Sequence, residues 1–124
     1  MSAPDFLRVN LAAQCADLAG EINKVYQNLP WALKNEAVSR LKRQVHQLSQ
    51  EVQKAHDAAS PPPTQKHLAN ALGFLHECVP LMDLCLRKKL LSPELYDRWV
   101  KRLNQLEKPL EEWLRASKSG MSRP

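Results

Sequence analysis

The stretch Leu68-Ala69-Asn70-Ala71-Leu72-Gly73-Phe74-Leu75-His76-Glu77-Cys78-Val79-Pro80-Leu81-Met82-Asp83-Leu84-Cys85-Leu86 decides the fold. Leu68, Leu72, Leu75, Val79, Met82 and Leu86 recur in alternating steps of four and three. That rhythm gathers side chains on one stripe of a helix and excludes a strand, whose faces alternate every second residue. A helix is predicted over 64–89.

Working outward, the same rhythm returns on both sides. Leu11, Cys15, Leu18, Ile22, Val25 and Leu29 mark a first helix over 5–28. Pro30 blocks its continuation and suits the first turn of a second helix over 30–58. The stripe of that helix is Val38, Leu41, Val45, Leu48, Val52 and Ala55, with Trp31 one heptad earlier. Ser60-Pro61-Pro62-Pro63-Thr64 reads as an extended linker, and Thr64 as a cap for the third helix. Ser92-Pro93-Glu94 reads as N-cap, first helical residue and a carboxylate in the positive first turn. The fourth helix, over 93–116, carries Tyr96, Trp99, Leu103, Leu106, Leu110 and Trp113. The tail 117–124 is expected to be flexible.

Four helices of about 25 residues, each about 37 Å long and joined by short connections, predict an all-α, antiparallel up-down four-helix bundle. It fills one domain over 1–124. Nine prolines against three glycines, and 6% aromatic residues against 44% hydrophobic ones, also favour Leu- and Ala-rich helices over a sandwich or barrel. Pro80 and Pro109 lie inside predicted helices, where each is expected to bend or end its helix.

Cys15, Cys78 and Cys85 are an odd set without C-x-x-C spacing, and no N-terminal stretch reads as a signal peptide. No apolar run approaches the roughly 18 residues of a membrane span. A soluble cytoplasmic protein without membrane contact is expected.

Catalytic and metal-binding signatures fail on inspection. His76-Glu77 begins H-E-x-x-H, but Pro80 stands where the second histidine belongs. His46, His56 and His67 have no ligand-spaced partners, and neither a Glu-x-x-His pair, a Gly-rich phosphate loop nor a G-x-S-x-G elbow occurs. The expectation is a non-enzyme with no cofactor and no metal, whose cysteines are buried structural thiols.

Two features point to partners. Between Leu68 and Leu86, 13 of 19 residues are apolar, more than one stripe needs. Phe74, Leu81 and Leu84 lie off that stripe, and left in water they would form an interface patch, so a homo-oligomer is expected, with a heteromeric partner helix or a broader core within one chain as the competing reading. The second feature is charge. The chain carries a net +5, and residues 61–124 hold 11 Lys/Arg against 7 Asp/Glu. Arg87, Lys88 and Lys89 close the third helix, Arg98, Lys101 and Arg102 share the fourth, and Arg40, Lys42 and Arg43 cluster on the second. Such surfaces attract phosphates, so RNA or DNA is the expected partner. A protein-interaction bundle using its charge only for solubility is the alternative.

The segments Val25-Tyr26-Gln27-Asn28-Leu29-Pro30, Leu68-Ala69-Asn70-Ala71-Leu72-Gly73-Phe74-Leu75-His76-Glu77 and Leu90-Leu91-Ser92-Pro93-Glu94-Leu95-Tyr96 resemble the four-helix-bundle family of ribosomal RNA intervening-sequence proteins. The similarity covers roughly residues 10–115. Members usually carry Asn-x-x-Glu-Gly late in the second helix, where this chain has Glu51-Val52-Gln53-Lys54-Ala55-His56-Asp57. That departure points to the basic branch of accessory variability determinants in diversity-generating retroelements. The resemblance implies a five-membered ring that binds a reverse transcriptase and nucleic acid and supports mutagenic cDNA synthesis without catalysing it.

Overall fold

Apolar residues at helical spacing draw four segments together in the computed structural model, which describes residues 5–30, 36–58 and 60–121. They are α1 (Asp5–Asn28), α2 (Glu36–Asp57), α3 (Pro61–Arg87) and α4 (Pro93–Met121). Each helix packs on its neighbour in sequence, and α1 returns to α4. Residue numbers run in opposite senses across the seams: Asp83 meets Tyr96 while His76 meets Glu107, and Asp17 meets Arg102 while Glu21 meets Arg98. This is the antiparallel bundle that the periodicity predicts.

The core holds Leu18, Ile22, Leu41, Leu48, Leu68, Leu75, Met82, Leu103, Leu106 and Leu110 with two tryptophans, Trp99 and Trp113. All six stripe residues of α2, from Val38 to Ala55, are buried. On α3 the buried face is rotated from the predicted one. Ala71, Cys78 and Cys85 are buried, whereas Val79 and Leu86 are only half-buried. Small residues thus share that face with Leu68, Leu75 and Met82. Burial pushes the Cys15 and Cys78 thiols up to about 12 and the Cys85 thiol up to about 11. These are unreactive packing groups at neutral pH.

Several boundaries depart from expectation. Pro30 is not helical, α2 is described from Glu36, and Trp31 lies outside the described residues. The triple proline, predicted as a linker, forms the first turn of α3 instead. Ser60 is its N-cap with extended backbone (φ −138°, ψ 155°), as a residue before proline favours. Pro61, Pro62 and Pro63 then fill positions whose N–H groups would have no helical acceptor anyway. Thr64 donates the first backbone bond to the Ser60 carbonyl, and its hydroxyl also donates to that oxygen at 3.0 Å, so it does not cap the helix. Ser92 does cap α4, its Oγ accepting from the Leu95 N–H at 3.2 Å.

Neither internal proline ends its helix. Pro80 and Pro109 are both exposed, and α3 and α4 run through them. The end of α4 differs from the expected 116: the helix continues through 117–121, and 122–124 lie outside the described residues.

The excess of apolar residues on α3 is explained within one chain. Leu81 is buried, and Phe74 and Leu84 are half-buried against the core, because α3 packs on both α2 and α4. Leu81 is thereby withdrawn from the predicted interface patch, which leaves only the exposed parts of Phe74 and Leu84.

The end of α3 is closed by a Schellman motif. The Leu90 N–H donates to the Cys85 carbonyl and the Lys89 N–H to that of Leu86, each at 2.9 Å. This requires a left-handed residue, and Lys89 supplies it at φ 61°. A side chain is strained there and glycine is not. Lys89→Gly is expected to stabilise the fold by about 0.5–1 kcal/mol, read as a higher midpoint in urea.

Candidate nucleic-acid interface

The nine basic residues singled out in the sequence all belong to the half of the bundle that ends in the α1–α2 and α3–α4 connections. Antiparallel register brings the start of α2, the end of α3 and the start of α4 to that half. Their surroundings divide them into two groups.

Arg98 and Arg102 face α1. Arg98 donates to Glu21, and Arg102 donates to Asp17 at 2.8 Å and reaches Glu21 at 3.4 Å. The buried Trp99 indole N–H donates to the other oxygen of Glu21 at 2.5 Å. Burial alone would raise the Glu21 carboxyl, but the Trp99 and Arg98 hydrogen bonds and the two guanidinium charges outweigh it and hold it below its ordinary 4.5. These two arginines thus have carboxylate partners on α1 and help to close it on α4.

The remaining cations are placed differently. Arg87, Lys88 and Lys89 are exposed around the α3–α4 turn and make no ion pair among the described residues. Lys101 is exposed on α4. Arg40 and Arg43 are exposed on α2, whereas Lys42 is half-buried with its ammonium 4.6 Å from the centre of the Tyr26 ring. Lys42, Arg43 and His46 form one wall of an open groove of about 590 Å³ between α1 and α2. The opposite wall is Ala16, Ala19 and Gly20, small enough to leave the basic side chains accessible to a ligand.

Sequence reading missed the partners in these seams. Asp17 and Glu21 are one turn apart, as are Arg98 and Arg102, so the two helices present matched i,i+4 charges. That complementarity was the available signal. A second polar cluster joins α2 to α3. Glu51 is buried and bonded to His67 at 3.0 Å, Asn70 at 2.9 Å and Lys54 at 3.4 Å. Burial would raise its carboxyl, and the three hydrogen bonds override that and hold it below its ordinary 4.5. Its signal was a carboxylate one turn from both Leu48 and Ala55 on the apolar stripe.

No family model matches the chain, and no curated protein matches it. Among solved structures it is similar to the crystal structure of a protein of unknown function from the S23 ribosomal protein family of Bacteroides thetaiotaomicron VPI-5482. The two are 17% identical, with a TM-score of 0.79 over 87% of this chain and 97% of that one. The likeness is one of fold. It places this bundle beside an S23-like four-helix protein. Among the described residues no helix is long and apolar enough to cross a membrane.

The two depressed carboxylates fix an acid response. Both lose protons more readily in the folded chain, so their contribution to stability is complete above about pH 4.5 and is lost as pH falls through the folded values. The thermal midpoint is expected to drop on acidification from about pH 5 to about pH 3, and a Glu21→Gln/Glu51→Gln variant to show a shallower acid limb. Glu21→Ala, which removes the acceptor of the buried Trp99 N–H and of Arg98 while Arg102 keeps Asp17, is expected to cost about 2 kcal/mol in denaturant unfolding at neutral pH.

Proposed function

We propose that the protein binds single-stranded RNA or DNA through its basic half and serves as a non-enzymatic accessory factor to a reverse transcriptase of a diversity-generating retroelement. The observation that carries nucleic-acid binding is the α3–α4 turn. Arg87, Lys88 and Lys89 stand together in solvent without carboxylate partners, at the end of a helix whose terminus favours cations. Lys89 remains at a left-handed position where glycine would be less strained. The lysine there adds a third positive charge to the turn that a phosphate would meet.

Arg40 and Arg43 add exposed cations on α2, and Arg43 and Lys42, the latter over the Tyr26 ring, line the groove between α1 and α2. Such contacts neutralise phosphates with little base selectivity. The accessory role and the reverse-transcriptase partner come from the resemblance to the basic accessory branch, and the S23-like fold agrees with it. The homopentameric ring belongs to the same reading. With Leu81 buried, its surface is the exposed remainder of Phe74 and Leu84, and a ring would repeat every basic turn around one axis.

Substitution at Arg98 or Arg102 is a poor test, because both hold the α1–α4 seam. An Arg87→Gln/Lys88→Gln/Lys89→Gly variant is the better one, since the last change relieves strain while removing charge. Its affinity for a single-stranded RNA is expected to fall, and the slope of log affinity against log salt to flatten by about 2, with no loss of folding stability. Unchanged affinity and slope would reject this surface, and absence of RNA binding by the unmodified chain at moderate salt would favour the protein-interaction reading. Light scattering is expected to give a mass five times that of the chain. A monomer at all concentrations would remove the ring.

A further inference from the structure

Away from the basic half, α3 and α4 bring three ligand groups of another kind together. The His76 Nε2 lies 2.6 Å from the Glu107 Oε2, and Glu111, one turn further along α4, completes the set. One ligand atom from each residue lies within 4.8 Å of the other two. We propose that His76, Glu107 and Glu111 form a binding site for one divalent transition cation of the Zn²⁺, Co²⁺ or Ni²⁺ class, which ties α3 to α4.

The donor set selects the class of ion. Imidazole with carboxylates suits zinc and its first-row neighbours, whereas magnesium and calcium prefer oxygen alone. Two carboxylates and a neutral imidazole also balance a charge of +2. Ligand bonds of about 2.0–2.2 Å put tetrahedral donor atoms ~3.3 Å apart, so three atoms already within 4.8 Å need only a small inward rotation. The side chains are free to make it, because His76 and Glu107 are partly exposed and Glu111 is exposed.

Glu111 is the residue that distinguishes this site from an ordinary ion pair. His76 and Glu107 satisfy one another when the imidazole is protonated. Glu111 brings a second negative charge at i,i+4 from Glu107 and has no cationic partner among the described residues. Like charges at that spacing repel. A bound cation converts the repulsion into two ligand bonds and leaves its remaining coordination positions open to water. The three cysteines do not compete, because all are buried with raised thiol values.

The test is titration of the full chain with ZnCl₂ by calorimetry at neutral pH, and with CoCl₂ by visible absorption. One equivalent of Zn²⁺ is expected to bind and raise the thermal midpoint, and one equivalent of Co²⁺ to develop ligand-field bands. His76→Ala and Glu111→Gln are each expected to weaken Zn²⁺ at least about tenfold and to abolish the cobalt bands, whereas His46→Ala leaves both unchanged. The altered side chains are exposed, so circular dichroism of the metal-free variants is expected to match that of the parent. No saturable binding by the parent chain, or equal binding by the His76→Ala variant, overturns the site. Equal binding by Glu111→Gln reduces it to a two-residue contact and also overturns it.

Discussion

Two-sided burial of α3 is the constraint on which the rest of the structure depends. A helix with one covered flank needs only a narrow apolar stripe, and α3 is apolar over far more of its surface than that. In a closed ring of four helices each member touches two neighbours, and the apolar arc widens accordingly. Packing on both α2 and α4 lets α3 bury Leu81 and half-bury Phe74 and Leu84 without leaving its own chain. Small side chains at Ala71, Cys78 and Cys85 let the neighbours approach, and the two tryptophans of α4 supply the bulk.

Apolar packing alone leaves helix register loosely specified, because Leu-rich faces can slide past one another by a turn. Polar bonds across the seams remove that freedom. The Glu21 cluster ties α1 to α4, the Glu51 cluster ties α2 to α3, and Tyr96 donating to Asp83 ties α3 to α4. The Trp99–Glu21 bond is the most constraining of these. Its donor is fixed in the core and its acceptor is held by two guanidiniums, so sliding α1 by one turn would strand a buried indole N–H.

The sequence was legible wherever one helix carried its own signal. The helical period and the Ser92 cap depend on residues within a few positions of one another, and these readings agree with the structure, whereas the Thr64 cap and the predicted buried face of α3 do not. The triple proline was misread for a local reason: an absent N–H is harmless in a first turn, and the same residues that break a helix can begin one. Pro80 and Pro109 end neither helix, and each sits on a solvent face, where a missing backbone bond leaves the freed carbonyl to water. The ion pairs of Arg98 and Arg102 were not legible for a non-local reason. Their partners lie 77 and 85 residues away, so the decision between ligand-binding and structural charge rested on which helices meet.

That decision changes how the charge should be understood. Spread evenly, a net +5 on 124 residues would be a modest field. The bundle does not spread it evenly. The carboxylates of α1 neutralise the arginines nearest to them, while the α3–α4 turn and the exposed face of α2 keep cations that face only water. Water screens such groups until a polyanion displaces their counterions, and the gain then comes from ions released to solution rather than from any one contact. Under the proposed function, such a surface would meet a phosphate backbone by charge density and leave base sequence unread.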